Sequence, residues 1–275
     1  MLYLVGTPIG NMGDISRRAE EVLAQADIIA CEDTRRTGLL LAHIGVEGKL
    51  SAYHEHNKSS KGPILIEKMK AGATVALVSD AGMPSINDPG EDLVKLCIEN
   101  NIDISVVPGP VAAITALVMS GLDTTHFHYE GFLPSEQSER KKRIEEIKKI
   151  NETIIIYEAP HRLTKLLAEL VSAGFGESRA ALCREMTKKY EQVLRMTVSE
   201  ASEYYNANTP KGEFVICLEP VRSEDKPDYS EKEIDAMIRR LAESGMSTKE
   251  IAAEVASVTG RRKKEIYEHT VAMLK

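Results

Sequence analysis

The sequence lacks the glycine-rich signatures of the common nucleotide-binding folds. No segment matches G-x-x-x-x-G-K-[ST], and no apolar run is followed by the glycine spacing of a dinucleotide fingerprint. Internal repeats and low-complexity segments are also missing. Any ligand of this chain should therefore lie in a site unlike those of the P-loop and dinucleotide-binding proteins.

Long apolar runs and clustered cysteines are absent too. No apolar stretch approaches the ~20 residues of a membrane span, and a strand begins at Leu2 without the charged and apolar regions of a signal peptide. We therefore expect a cytoplasmic protein with no membrane contact. The cysteines are far apart and form no C-x-x-C: Cys31, Cys97, Cys183 and Cys217. This spacing predicts buried, reduced thiols rather than disulfides or a metal site.

An excess of positive charge is also missing. The formal net charge is −7, so no global field attracts nucleic acid, and an RNA or DNA partner would need a local basic surface. The chain has 275 residues, of which 43% are hydrophobic and 28% charged, which is enough for two compact domains.

Two apolar runs that stop abruptly in Gly, Pro, Asp and Asn are the most informative features present. They occupy residues 2–11 (LYLVGTPIGN) and 75–90 (VALVSDAGMPSINDPG). Each is typical of a buried parallel strand whose carboxyl end opens into a stiff loop, the place where α/β sheets bind ligands.

Strands and helices alternate over the first 120 residues, which predicts a parallel sheet with helices on both faces. Asp14 is the expected N-cap of the first helix, and Pro63 the expected start of the third. Further strands are predicted at 127–131, 153–157, 180–183 and 213–218, and three helices at 231–244, 248–259 and 263–274. We expect an N-terminal α/β domain (1–121), a second α/β domain (122–220), a polar linker (221–228) and a C-terminal helical module (229–275).

Asp80 directly follows the strand of the second run, and residues 87–90 (NDPG) add a second acidic turn. A carboxylate at a strand end can accept hydrogen bonds from a ligand, although an aspartate that only caps a turn has the same pattern. Residues 106–113 (VVPGPVAA) allow a flat ligand to approach the backbone after Gly109, or form an ordinary proline-rich turn.

Polar side chains follow other predicted strands. Residues 32–35 (EDTR) fit a proton acceptor or a substrate phosphate site, or a helix cap with a surface ion pair. His54 and His56 could ligate zinc, but no third ligand follows with suitable spacing, so we favour substrate binding and expect no metal. Residues 184–189 (REMTKK) and the basic run 140–149 could contact phosphates or could be solvated charge.

Together these segments resemble the tetrapyrrole methylase superfamily. The resemblance is carried by residues 6–11 (GTPIGN), 32–35, 54–57 (HEHN), 79–90, 107–110, 131–134 (GFLP), 157–162 (YEAPHR) and 184–188. It implies two α/β domains of non-Rossmann type with S-adenosylmethionine in the cleft between them. Tetrapyrrole-modifying members begin G-x-G-P-G-D where this chain has residues 6–11, so the match is closest to the branch that methylates the 2′-hydroxyl of a cytidine in the decoding region of bacterial 16S rRNA. Asn87, where serine is expected, and Gln192, where an acid is common, are mild departures.

The resemblance also assigns residues. It implies a homodimer without a catalytic metal and the following cofactor contacts: Pro8, Asp80, Met83, Val111, Ala112, Glu158, Met186 and Glu213. The substrate hydroxyl must lose a proton during methyl transfer. The sequence leaves several bases open: Glu32, Asp33, His54, His56, Glu185 and Lys188. Guanidinium groups suit RNA phosphates, and the candidates are Arg35, Arg162 and Arg184.

Two other functions fit the same residues. An enzyme of this fold could methylate a tetrapyrrole, whose carboxylates also attract arginine. A non-enzymatic RNA-binding factor in ribosome assembly is the second alternative. In the C-terminal module, residues 260–264 (GRRKK) place basic side chains at a helix start. This resembles a helix-turn-helix arrangement that contacts phosphates, but a small bundle that packs on the protein would look the same.

Overall fold

The computed structural model describes residues 1–88, 90–221, 229–259 and 261–274. The chain separates into two compact units, Met1–Val221 and Arg222–Lys275. The predicted linker lies outside the described residues except for Val221, and so does Gly260 of the basic segment.

The first sheet is entirely parallel, as predicted, with the strand order β3-β2-β4-β1-β5. Its strands are β1 (Leu2–Val5), β2 (Ile28–Cys31), β3 (Leu50–Ala52), β4 (Val75–Val78) and β5 (Ile104–Val107). All residues of β2 and β4 are buried, because helices cover both faces of a parallel sheet and its strands are therefore continuous apolar runs.

The helices that accompany this sheet are α1 (Arg17–Gln25), α2 (Thr34–His43), α3 (Lys58–Lys70), α4 (Gly90–Glu99) and α5 (Ala112–Ser120). The predicted cap at Asp14 is wrong, because Asp14 ends a short 3-10 turn and Ser16 caps α1 by accepting from the Ala19 N–H. The predicted start at Pro63 is also wrong. The turn before α3, in which the Asn57 side chain accepts from the His54 N–H, starts this helix five residues earlier.

The second sheet is mixed, with the order β6-β7-β10-β8-β9. Its strands are β6 (Phe127–Phe132), β7 (Thr153–Glu158), β8 (Arg179–Arg184), β9 (Gln192–Thr197) and β10 (Phe214–Leu218). Only β6 and β7 pair in parallel. The sequence did not predict β9, since this edge strand has one neighbour and no fully buried residue, and so gives a weak apolar signal.

Three further helices pack on the second sheet: α6 (Gln137–Ile147), α7 (Pro160–Leu170) and α8 (Val198–Ala207). Helix α5 joins them from the first half of the chain, because Ala113, Ala116 and Leu117 share a core cluster with Ile155 and Val215. This packing connects the two sheets into one unit.

The cysteines are buried and free, as the sequence predicted. Their pKa values are raised by burial, most strongly at Cys217. No helix among the described residues is both long and apolar enough to span a bilayer.

The C-terminal unit consists of the three predicted helices, α9 (Glu231–Glu243), α10 (Thr248–Thr259) and α11 (Lys263–Met273). Ser230 and Glu233 form a capping box at the start of α9. The unit has its own apolar core, which is centred on Ile234, Ile238, Ile251 and Ile266.

Candidate active site

A cleft of about 370 Å³ opens between the two sheets, and we call it the main cleft. Its walls come from loops of both sheets, and its lining is mostly apolar. It brings together six of the residues that were predicted to bind the cofactor: Met83, Val111, Ala112, Glu158, Met186 and Glu213.

A smaller cavity of about 230 Å³ adjoins the main cleft and shares Ile9, Ala81 and Glu213 with it. We call it the side cavity. Its lining includes Pro8 and Asp80, so all the predicted cofactor residues lie in one continuous region. The carboxyl ends of parallel strands meet at one edge of a sheet, which explains why loops distant in sequence converge here.

Close backbone contacts join these loops. Gly6 follows β1 and Gly109 follows β5, and a Cβ atom on Gly6 would lie 2.7 Å from both Cα and N of Gly109. Thr7 and Gly82 exchange backbone hydrogen bonds of 2.9 and 3.1 Å. Gly82 has a φ of +81°, which glycine adopts without strain. The floor of the site therefore depends on residues without side chains.

Asp80 lies between the side cavity and a third, more open depression. Its carboxylate accepts a hydrogen bond from the Asp33 N–H at 3.0 Å and forms an ion pair with Arg36 at 3.4 Å. Asp80 thus links the loop after β4 to the start of α2.

Glu158 is fully buried although it borders the main cleft. Its carboxylate pairs with Arg140 at 2.9 Å and with Arg162 at 3.2 Å. Arg140 is only 2% exposed and also bonds Glu169 at 2.6 Å. The Arg162 guanidinium donates to the carbonyl oxygen of Leu133, so this predicted RNA contact is largely engaged within the protein.

The basic run 140–149 is only partly available to a partner. Arg140 is buried, and Arg143 pairs with Glu130 at 2.6 Å and with Glu146 at 2.9 Å. Lys141 and Lys142 remain exposed. Two arginines of this segment therefore form ion pairs within the protein, which the sequence alone does not indicate.

Lys188 lies between two carboxylates of the cleft wall. Its Nζ is 3.1 Å from Glu185 and 2.8 Å from Glu213. Burial alone would lower the pKa of Lys188, but its hydrogen bonds to both carboxylates outweigh burial and raise it. Burial opposes a lower pKa at Glu185, yet the Glu213 N–H and Lys188 hold that pKa below its ordinary value. Both groups therefore keep their charge near neutral pH.

The remaining predicted catalytic residues line the open depression of about 440 Å³ beside Asp80, which we call the outer depression. They are Glu32, Asp33, His54 and His56. Arg35 bonds Asp33 at 2.7 and 3.1 Å, and its guanidinium holds the pKa of that carboxyl far below the usual range. The outer depression thus combines exposed acidic, basic and imidazole groups.

Two other features bear on the predicted site residues. Arg184, the third predicted RNA contact, donates from Nε to the Lys211 carbonyl at 2.6 Å. Within the described residues, no group of three or more His, Cys, Asp or Glu side chains could hold a metal ion.

Asp88 and Phe132 are among the side chains of the main cleft to which the sequence assigned no role. Phe132 is 55% exposed. A β-bulge between Tyr129 and Gly131 lies just before it and changes the direction of its side chain. Both residues lie in segments on which the resemblance to the tetrapyrrole methylases rests. That resemblance is the sequence signal that could have identified them.

Two families match the chain. "Tetrapyrrole (Corrin/Porphyrin) Methylases" matches residues 1–202, and "RsmI C-terminal HTH domain" matches residues 228–274. The second match agrees with the helix-turn-helix interpretation of the C-terminal module.

Several curated relatives are similar over nearly the whole chain. A protein of Synechocystis sp. is 41% identical, with 98% of this chain and 96% of the relative covered. A protein of Escherichia coli O157:H7 is 43% identical, with 98% and 94% covered. Both are named "Ribosomal RNA small subunit methyltransferase I".

Solved structures share the fold at low identity. Uroporphyrin-III-C-methyltransferase from Thermus thermophilus superposes with a TM-score of 0.58 at 21% identity, covering 80% of this chain and 94% of the other. A cobalt precorrin-4 methyltransferase gives 0.60 at 18% identity, covering 78% and 93%. These similarities confirm the predicted fold class.

Proposed function

Because the chain belongs to the tetrapyrrole methylases, in the ribosomal RNA small subunit methyltransferase I group, we propose that it methylates the 2′-hydroxyl of a cytidine in the decoding region of bacterial 16S rRNA. It is a methyltransferase that uses S-adenosylmethionine. One observation carries the substrate assignment: relatives named for this RNA are up to 43% identical over almost the full chain. The reaction belongs in the cytoplasm, where small subunits are present.

The main cleft suits S-adenosylmethionine in size and chemistry. Its volume of about 370 Å³ lies within the ~300–1,000 Å³ typical of small-molecule sites. Val111, Ala112, Met83 and Met186 offer apolar walls. When bound, the cofactor supplies an electrophilic methyl group on sulfur. The chain must hold the ribose hydroxyl in line with that methyl group and accept its proton.

Charged groups around the cleft fit an RNA substrate. The Arg35 side chain is 88% exposed beside the outer depression, where it can reach a phosphate despite its contact with Asp33. Arg184 and Arg162 are the other proposed contacts. Each guanidinium donates a hydrogen bond to a backbone carbonyl, which it would either keep or replace by a bond to the phosphate. RNA is therefore expected to bind on the side of the outer depression.

A methylation assay with two substrates tests the proposal. Purified protein and labelled S-adenosylmethionine are incubated with small ribosomal subunits from cells that lack this protein, and in parallel with a precursor tetrapyrrole. We expect label in 16S rRNA only, at one cytidine ribose located by mass spectrometry. Label in the tetrapyrrole alone would establish the small-molecule alternative. RNA binding without methyl transfer would instead support the alternative of a non-enzymatic assembly factor.

We expect Asp80→Ala to abolish binding of S-adenosylmethionine without unfolding the protein. The substitution removes the acceptor for the Asp33 N–H and the partner of Arg36, so the loop between the cavities loses its position. Calorimetric titration measures the loss, and circular dichroism checks the fold. Asp27→Ala is the matched control, since Asp27 accepts a similar bond from the Thr74 N–H outside the cleft. Wild-type affinity in Asp80→Ala would refute the role.

Removal of residues 229–275 should leave cofactor binding intact and weaken binding to ribosomal RNA. In the described part of the chain, the core clusters of the first unit contain no residue beyond Val221, so that unit keeps its packing. Arg262, Lys263 and Lys264 are exposed at the start of α11, where they can meet phosphates.

The loss of RNA affinity should shrink as salt rises, because phosphate contacts release counterions. A full-length variant with Arg262, Lys263 and Lys264 changed to glutamate should reproduce most of the loss. Equal RNA affinity for all three proteins at low salt would exclude an RNA-binding tail.

We also propose a homodimer, as the resemblance implies. Helix α5 is mostly apolar, and its outer residues Ile114 and Val118 are 42% and 68% exposed. Light scattering of the purified protein measures its mass directly, and a monomer at micromolar concentration would contradict the proposal.

A further inference from the structure

Asp88 differs from the other carboxylates of the main cleft in its pairing. Glu158, Glu185 and Glu213 each contact a lysine or arginine. Within the described residues, Asp88 has no cationic partner. The hydroxyl of Ser79 lies near Asp88 and donates to the carbonyl oxygens of Ala81 and Gly82. Among the residues that the structure describes, no lysine or arginine therefore neutralises this carboxylate of the main cleft.

Asp88 also borders a narrow cavity beside the main cleft, which is lined by apolar as well as polar residues. This cavity has a volume of about 10 Å³, which is close to the ~10–15 Å³ that one water requires. Its polar lining residues are Asp88, Glu32, Ser79 and Tyr53. Tyr53 is 1% exposed, and its hydroxyl has no hydrogen-bond partner among the described residues. Tyr53 and Asp88 both border this cavity.

Electrostatics favour a proton on this carboxylate. Burial, followed by the charges of Glu32 and Asp80, raises the pKa of Asp88 to about 6, although the Ser79 hydroxyl opposes the shift. Glu32 follows β2 and Asp80 follows β4, while the second sheet contributes the phenols of Tyr129 and Tyr157. A general base works best when its pKa lies near the pH of the reaction.

The other cleft groups are less suited to this task. Lys188 stays protonated between two carboxylates, and Glu185 is held ionised by Lys188 and a backbone N–H. A carboxylate whose negative charge is already stabilised by a cation gains little from a proton. Glu158 forms ion pairs with Arg140 and Arg162.

We propose that Asp88 is the general base of the methyl transfer. Its carboxylate takes the proton of the ribose hydroxyl while the hydroxyl oxygen forms a bond to the methyl carbon. The carbon–sulfur bond breaks at the same time, and its electron pair stays on sulfur, which becomes a neutral thioether. This assignment rests on the proposed function, since it requires a hydroxyl as the methyl acceptor.

The test compares Asp88→Asn and Asp88→Glu with the wild type in single-turnover methylation of small subunits. Asp88→Asn keeps the size of the side chain but cannot accept the proton, so the rate should fall by about 10²–10⁴-fold. The Kd for S-adenosylmethionine should stay within about twofold to threefold of the wild-type value. Asp88→Glu should recover part of the rate.

The pH profile provides a readout that a structural role would not affect. Only ionised Asp88 accepts a proton, so the wild-type rate should rise with pH through about 6 and then level off. In Glu32→Gln the midpoint should move to lower pH, because one of the charges that raises the pKa of Asp88 is gone.

The outcomes separate this proposal from the proposed function. Wild-type protein that labels no RNA would reject the function itself. If wild-type protein is active and Asp88→Asn retains its rate, Asp88 is not the base. Should Asp88→Asn fail to fold, an unmoved midpoint in Glu32→Gln would overturn the assignment. Loss of all activity in Glu32→Gln would assign the base to Glu32 instead.

Discussion

Arg140→Ala is expected to lower the free energy of unfolding by about 3 kcal/mol or more, the usual effect of removing one partner from a buried ion pair. Arg140 is 2% exposed and bonds both Glu158 and Glu169. Without it, Arg162 is the one charged partner that the Glu158 carboxylate keeps among the described residues. Glu158 also borders the main cleft, so cofactor affinity should fall as well.

Urea denaturation followed by circular dichroism measures this effect. Arg17→Ala is the matched control, because Arg17 pairs with Glu21 on the surface with a side chain that is 90% exposed. Surface pairs contribute little, so this control should unfold at the wild-type urea concentration. Equal midpoints for the two variants would mean that the buried network does not stabilise the protein.

Gly6→Ala should disrupt the floor of the site. The new methyl group would lie 2.7 Å from backbone atoms of Gly109 and from the sulfur of Met83, and the two loops would have to move apart. Overpacking of this kind costs about 1–3 kcal/mol of stability. We expect the Kd for S-adenosylmethionine to rise by at least about tenfold, which corresponds to ~1.4 kcal/mol.

Gly38→Ala is the control for this substitution. Gly38 lies inside α2, and its added methyl group would be 3.8 Å from Leu50, an ordinary contact. Alanine in a helix is favoured over glycine by about 0.5–1 kcal/mol, so this variant should be slightly more stable and bind the cofactor normally. Calorimetry measures cofactor binding by both variants, and thermal unfolding measures their stability. Normal cofactor binding by Gly6→Ala would contradict the close approach of the two loops.

The sequence determined the parallel sheet most clearly at the strands that are short apolar runs. Ile28–Cys31 and Val75–Val78 are buried on both faces, so every position must be apolar and the signal is strong. The edge strand Gln192–Thr197 escaped prediction because its burial comes from one neighbouring strand. The start of α3 was misplaced because a tertiary turn around Asn57 outweighed the local preference of Pro63.

The residues that line the candidate site were also accessible from sequence, since they follow strand ends in order along the chain. Gly6, Asp80 and Val111 lie in loops that parallel strands bring to one edge. Their roles in cofactor binding stay predictions until the variants above are measured.

Only the tertiary structure decided which charges are free to act. Arg140 and Asp88 are both charged residues in polar segments, and nothing local distinguishes a buried partner from an unpaired one. Arg140 is buried and forms hydrogen bonds with Glu158 and Glu169, which are 18 and 29 residues away in sequence. Asp88 has no cationic partner in the part of the chain that the structure describes, and the packing of β2 beside β4 places it near Glu32 and Asp80. Charge pairing depends on distances of a few ångströms between remote segments, and the fold sets those distances.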